Sequence, residues 1–261
     1  NKYKKSNFLL RALKICDHLV QNTNWIEKSS EAKKPFLIET DIDLKKKENF
    51  DIMNLVLEKP ILGLVSKYFK KVPILRDVNI WYSPNNKVFG RSQLFHLDGG
   101  DEQLRIFIPI EDISLQNGPF TAINKKITLK ILKDLKKKNV KKFFNTPIQS
   151  QKIPDDIILE NNPDTVNLVG KRGDLFFADP FSCLHYGSRL SSKPRIQLQL
   201  NFMSNLALDN PLWGMKTNFD FFSKINFDKD YKNILAPYVL SYYLSDPINR
   251  GCDISNKPEK M

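Results

Sequence analysis

Four side chains in this chain have the types and spacing for metal-centred chemistry: His96, Asp98, His185 and Arg195. His96 and Asp98 stand two apart in 94-LFHLDGG-100. Residues i and i+2 of an extended strand point to the same face, so an imidazole and a carboxylate can converge on one point. Alone, that H-x-D spacing is a weak signal, and it reads equally well as a strand end with a hydrogen-bonded histidine. His185 adds a second imidazole in a polar break after another apolar strand. Two histidines with one carboxylate form the facial arrangement of non-heme Fe(II) oxygenases, which leaves three adjacent coordination positions open. Arg195 opens the next apolar strand, where an interior guanidinium needs an anionic partner because an unpaired buried charge is costly. A dicarboxylic co-substrate would supply that partner.

The elements that must position these residues can be read from periodicity. Phe8, Leu9, Ala12, Leu13, Ile15, Cys16 and Leu19 recur at helix spacing, as do Ile52, Leu55, Val56, Ile61, Leu62, Val65 and Phe69, with Pro60 splitting the second pattern into two short helices or a kinked one. His18 lies on the first of these helices without a spaced partner, which marks it as a surface or edge residue. From Val78 onward short apolar or alternating runs predict strands over 78–82, 91–97, 104–110, 119–123, 165–170, 174–178 and 195–203, separated by SPNN, DGGDE, QNGP, GKRGD and SSKP turns. Many short strands at this spacing predict a mainly β fold with flanking helices: a sandwich, barrel or jelly roll. One insert, 125–142, carries Ile127, Leu129, Ile131, Leu132 and Leu135 beside a lysine-rich face and predicts an amphipathic helix, packed on the domain by default or serving as a lid. The expected organisation is a single domain over 1–261, with a helical region (1–75), a β core (76–205) holding the basic insert, and an extension (206–261). The aromatics of that extension, Trp213, Phe219, Phe221, Phe222, Tyr231, Tyr238, Tyr242 and Tyr243, read as core or subunit contact.

Composition narrows the function classes. The net charge is +12, but lysines outnumber arginines 33 to 8 and no compact cluster of arginine forks and stacking aromatics occurs, so a lysine-rich surface is expected in preference to nucleic-acid binding. Cys16, Cys183 and Cys252 are odd in number and show no C-x-x-C pair, which argues against a disulfide framework or zinc knuckle and fits a reducing, cytoplasmic setting. No apolar run approaches the roughly 18 to 20 residues of a membrane span. Asp174 reads as a turn residue, Asp179 as a group that could support His185, and Cys183 as a small buried residue. Arg105 and Arg189 read as surface-paired by default, with an anionic substrate as the alternative partner, and Asp101 and Glu102 as solvated turn residues.

The segments 92-SQLFHLDGGDEQLRIFIPIEDISLQNGPFTAI-123 and 170-GKRGDLFFADPFSCLHYGSRLSSKPR-195, about a quarter of the chain, resemble the phytanoyl-CoA dioxygenase family of Fe(II)/2-oxoglutarate-dependent oxygenases. The resemblance implies a double-stranded β-helix (a cupin-like jelly roll) with iron held by His96, Asp98 and His185 at its open end and the distal carboxylate of 2-oxoglutarate bound by Arg195. It implies Fe(II), 2-oxoglutarate and O2 as cofactor and co-substrates, and hydroxylation of a small or carrier-linked organic substrate, anionic ones included, with release of succinate and CO2. Asp98 in the ligand position favours hydroxylation over halogenation. Gln93, Thr121 and Ser188 are candidate secondary contacts to 2-oxoglutarate. Two departures stand out: GPFTAI runs into Asn124, Lys125 and Lys126 where family members commonly carry a Pro-Gly-Ser-His type turn, and Leu97 occupies a position that is polar in some members. The competing readings are a catalytically silent jelly-roll binding module and a cupin-like metal enzyme that uses O2 without a keto acid, which would leave Arg195 unexplained.

Overall fold

The computed structural model describes residues 6–32, 34–87, 93–99, 102–137, 152–204, 224, 225 and 227–240. Asp101, Cys252, residues 138–142 of the insert, and Trp213, Phe219, Phe221, Phe222, Tyr242 and Tyr243 lie outside the described residues. The helices are α1 (Asn7–Gln21), α2 (Trp25–Glu31), α3 (Phe50–Val56), α4 (Lys59–Phe69), α5 (Lys125–Lys137), α6 (Asp155–Leu159) and α7 (Asp230–Val239). The strands are β1 (Ile38–Asp41), β2 (Ile74–Ser83), β3 (Gln103–Pro109), β4 (Thr121–Ile123), β5 (Thr165–Asn167), β6 (Phe176–Ala178), β7 (His185–Tyr186) and β8 (Arg195–Met203). The chain folds as two compact units, one of residues 1–12, 42–78 and 200–261, the other of residues 13–41 and 79–199.

The first unit is mainly helical. Ile52, Met53, Leu55 and Val56 of α3 and Ile61, Leu62, Val65 and Phe69 of α4 are buried, as their spacing predicts. The break falls before Pro60, which sits in the first turn of α4, where its missing N–H costs nothing. Lys232 of α7 is buried in this unit, with its ammonium 2.8 Å from Asp228, 3.2 Å from the Asn54 amide oxygen and 4.0 Å from the centre of the Phe8 ring.

The second unit carries β1, β3 to β7, residues 79–83 of β2 and residues 195–199 of β8. One sheet has the strand order β1-β2-β8-β3-β6 and the other β5-β4-β7. Strand β8, RIQLQLNFM, is buried along its whole length: Ile196, Leu198, Leu200 and Phe202 form one face and Arg195, Gln197, Gln199 and Asn201 the other. Strand β2 begins four residues before the predicted 78–82 segment. The predicted 91–97 strand reduces, in its described part, to isolated bridges, Phe95 with Ile153 and His96 with His185. Strands β1 and β7 and helix α6 are additional: each is too short to leave a periodic trace.

Helix α5 is part of this unit's core. Ile131 and Leu135 are buried with Phe95, Leu97, Ile123, Ile153, Ile158 and Leu184 in one apolar cluster. Buried Thr128 donates its hydroxyl to the Ile123 carbonyl (3.2 Å) and accepts from the Leu184 N–H (3.1 Å). The described helix is therefore a packed buttress and not a lid.

Candidate metal centre

His96 and His185 are brought together by backbone pairing. Each N–H donates to the other's carbonyl at 3.0 Å, which places the ring centroids 4.4 Å apart. Each ring is then oriented by its own chain: Nδ1 of His96 lies 2.8 Å from the Leu94 carbonyl and Nδ1 of His185 lies 3.0 Å from that of Cys183. A carbonyl oxygen only accepts, so both Nδ1 atoms donate, which leaves Nε2 of each ring to face the centre. Those Nε2 atoms lie 3.5 and 3.6 Å from the same oxygen, Oδ1 of Asp98. The three ligand atoms sit within 4.8 Å of one another, a spacing that can hold a metal ion. Phe120 stacks on His185 at 4.8 Å between centroids.

Asp98 divides its carboxylate. Oδ1 faces the imidazoles, while Oδ2 is 2.5 Å from Nη2 of Arg105. Burial alone would raise this carboxyl; the Arg105 guanidinium, together with the two imidazoles facing Oδ1, more than offsets it and holds the group well below the usual carboxylate range. Burial lowers the His96 pKa, with the Asp98 hydrogen bond opposing. Both shifts favour the metal-binding protonation states, a neutral imidazole and an ionised carboxylate. Leu97, between the ligands, points into the apolar cluster with Ile131 and Leu135, so it anchors the H-x-D segment and does not face the centre.

Arg195 is 3% exposed and lies in a polar cradle. Nη1 donates to the Gly118 carbonyl (2.5 Å), and Nη2 donates to the hydroxyls of Ser83 (3.2 Å) and Ser188 (3.0 Å). Among the described residues its Nε has no partner and no carboxylate pairs with it. Burial pushes its pKa down to about 10. For a base, a depressed folded value means the charged form is penalised at every pH below it. Gly118 holds the cradle in a left-handed conformation (φ 57°), where a Cβ would come 2.8 Å from the Arg189 carbonyl oxygen.

Of the secondary candidates, Ser188 touches Arg195 directly. Gln93 is buried and donates its amide to the Ser188 carbonyl, supporting that turn from behind. Thr121 spends its hydroxyl proton on Asn167 (2.7 Å). Asp179 caps the turn before His185 by accepting from the Ser182 N–H (2.8 Å), and Asp174 caps the Lys171 turn (2.7 Å), as its turn reading expects. His18 is exposed on α1, away from the triad. Arg105 and Arg189 depart from the surface-pairing expectation. Arg105 pairs with Asp98, and Arg189 forks onto Asp155 (2.6 and 2.9 Å) and lies 3.6 Å over the Tyr186 ring. Lys152 escaped sequence reading altogether. It is half-buried beside Ile153 and coupled electrostatically to His96, Asp98 and Lys34, with burial lowering its pKa. Only the Phe95–Ile153 bridge brings it there, and no local motif announces such a pairing.

No protein-family model matches the chain, and no curated protein matches it. Among solved structures, the fold is similar to EctD from S. alaskensis with 2-oxoglutarate and 5-hydroxyectoine, at TM-score 0.53 and 11% identity over 79% of this chain and 71% of that one. The same protein with bound Fe aligns at TM-score 0.52 and 13% identity, over 79% and 72%. The non-heme alpha ketoglutarate dependent epimerase SnoN from nogalamycin biosynthesis aligns at TM-score 0.50 and 14% identity, over 77% and 75%. The fold is the jelly roll with flanking helices that the sequence predicts.

Proposed function

We propose that this protein is an Fe(II)- and 2-oxoglutarate-dependent dioxygenase of the phytanoyl-CoA dioxygenase type, residues 1–261 forming one oxygenase-like domain. The observation that carries this reading is the pairing of two complementary sites on one framework: a cluster of two histidines and an ionised Asp98, and a buried arginine with no acid beside it among the described residues. The donor set fits a divalent iron, which His96 Nε2, His185 Nε2 and Asp98 Oδ1 would hold. The cradle fits a dicarboxylate, whose distal carboxylate would pair with Arg195 and offset the cost of burying it; the Ser83 and Ser188 hydroxyls orient the same group. Gln93 fixes the Ser188 turn, and Thr121 lines that end of the site from β4.

Iron held by these residues would, with 2-oxoglutarate and O2, supply the oxidant for substrate hydroxylation, with succinate and CO2 as co-products. The chain's own residues hold and shield that chemistry. The Leu94 and Cys183 carbonyls fix the imidazole tautomers, Arg105 keeps Asp98 ionised and turned, and Phe120 covers His185 on one face. Lys152, with Lys34 near it, supplies positive charge beside His96 and Asp98, which supports a substrate bearing an anionic group. The free thiols of Cys16 and Cys183 support a reducing cytoplasmic setting. Among the described residues no helix is long and apolar enough to cross a membrane.

The test is O2-dependent release of succinate from 2-oxoglutarate by the Fe(II)-loaded chain. Wild type is expected to release it, His96→Ala and Arg195→Leu to lose it. Equal release by all three would count against the ligand and anchor assignments.

A further inference from the structure

The face of β2 and β8 that carries Arg195 holds more polar groups than the metal and its co-substrate use. Ser83 meets Arg195 at one end of this strand pair and Asp77 meets Asn201 at the other, so the strands run antiparallel. Side chains two apart share a face, which places Asn79, Trp81 and Ser83 of β2 beside Gln197, Gln199 and Arg195 of β8. Arg105 of β3 reaches the same face, its guanidinium 5.6 Å from the Trp81 ring. Besides Arg195 Nε and Asn201 Oδ1 at its two ends, four polar atoms on this face are buried without a hydrogen-bond partner among the described residues: Asn79 Oδ1, Trp81 Nε1, Arg105 Nε and Gln199 Oε1. Asn79 and Gln199 are 5% and 1% exposed. The Asn79 amide is oriented by donating Nδ2 to Glu39 (3.0 Å), which leaves its oxygen turned elsewhere.

Buried polar atoms are normally satisfied, and each exception calls for a cause. These four between the ends, two donors and two acceptors, describe the complement of hydroxyl groups, each of which both donates and accepts. An acyl chain offers neither. The wall also lies where a substrate must lie: Arg105 holds the metal-side carboxylate of Asp98, and Trp81 is one strand repeat from Ser83, which touches the Arg195 anchor.

Resting on the oxygenase reading, we propose that the part of the substrate presented to the metal centre is a polyhydroxylated skeleton, a sugar or cyclitol, gripped by Asn79, Trp81 and Gln199. This excludes a bare fatty-acyl chain as the reacting group. Glucose 6-phosphate, myo-inositol and hexanoyl-CoA are the probes, titrated against the tryptophan fluorescence of the full chain, with Trp81→Phe identifying the signal that belongs to Trp81. Either polyol is expected to give a saturable change that Trp81→Phe abolishes, and Gln199→Leu is expected to weaken it about ten-fold while leaving the thermal midpoint no lower than that of wild type. A response to glucose 6-phosphate alone adds phosphate to the recognised chemistry; a response to myo-inositol alone selects the cyclitol. Silence with both polyols, a response to hexanoyl-CoA alone, or undiminished binding by Gln199→Leu overturns the proposal and reduces the wall to a hydration site. If succinate release occurs while the polyols are silent, the proposal falls and the oxygenase reading stands; if the polyols bind saturably without that release, the polyol site stands and the oxygenase reading falls.

Discussion

At the scale of single residues, the centre is set by hydrogen bonds that each ligand makes away from the others. His96 and His185 each donate Nδ1–H to a carbonyl two residues upstream, which fixes the tautomer before any metal arrives. Asp98 is turned by Arg105 in the same way, with one oxygen paired and the other aimed at both imidazoles. Replacing Arg105 by methionine keeps the stem and removes the charge; Fe(II) affinity, measured by anaerobic titration, is expected to fall about 10- to 100-fold. Unchanged affinity would mean the ion pair is incidental. The H-x-D spacing was legible because it is local and strand periodicity gives it geometry. The role of Arg105 was not, because its partner lies across a turn and only the fold shows that the two side chains share a face.

At the scale of elements, α5 and the β4–β7 sheet explain how two distant histidines are held in register. The helix buries Ile131 and Leu135 against Phe95 and Leu97, which flank His96, and against Leu184, which precedes His185. Ile131→Ala should therefore lower stability by about 2 to 4 kcal/mol in urea unfolding, whereas Lys130→Ala on the exposed side should stay within about 0.5 kcal/mol. A helix acting as a detachable lid would give the opposite pattern, with little stability change at Ile131. The helix itself was readable from its apolar stripe, but that pattern says only that one face is covered. What covers it depends on the pairing of Phe95 with Ile153 and of His96 with His185, contacts between segments far apart in sequence. Short elements were lost for a related reason: a two-residue strand such as β7 exists through its partners and has no period of its own.

At the scale of the whole molecule, the basic balance is carried mainly by lysine, and three of the six described arginines, Arg105, Arg189 and Arg195, are committed to internal pairs or cradles. This is the pattern expected of a lysine-rich surface. Buried groups outside the centre also shape stability. Burial, reinforced by Asp17 and opposed by Arg172, pushes the Cys16 thiol up to about 12. A raised folded value for an acid gives stability that is fully present below the ordinary thiol value and is lost as pH rises toward 12. The thermal midpoint of wild type should therefore fall above about pH 9, and Cys16→Ala, starting from a lower midpoint because of the cavity, should show a shallower fall over the same range. Parallel slopes would show that Cys16 does not contribute. The central claim, one centre that takes iron and a keto acid together, is tested most directly by adding Fe(II) and then 2-oxoglutarate to the full chain without oxygen and recording the visible spectrum. The account predicts a metal-to-ligand charge-transfer band that requires both additions and is lost in His96→Ala and Arg195→Leu. Absence of the band in wild type, or its persistence in both variants, would contradict it.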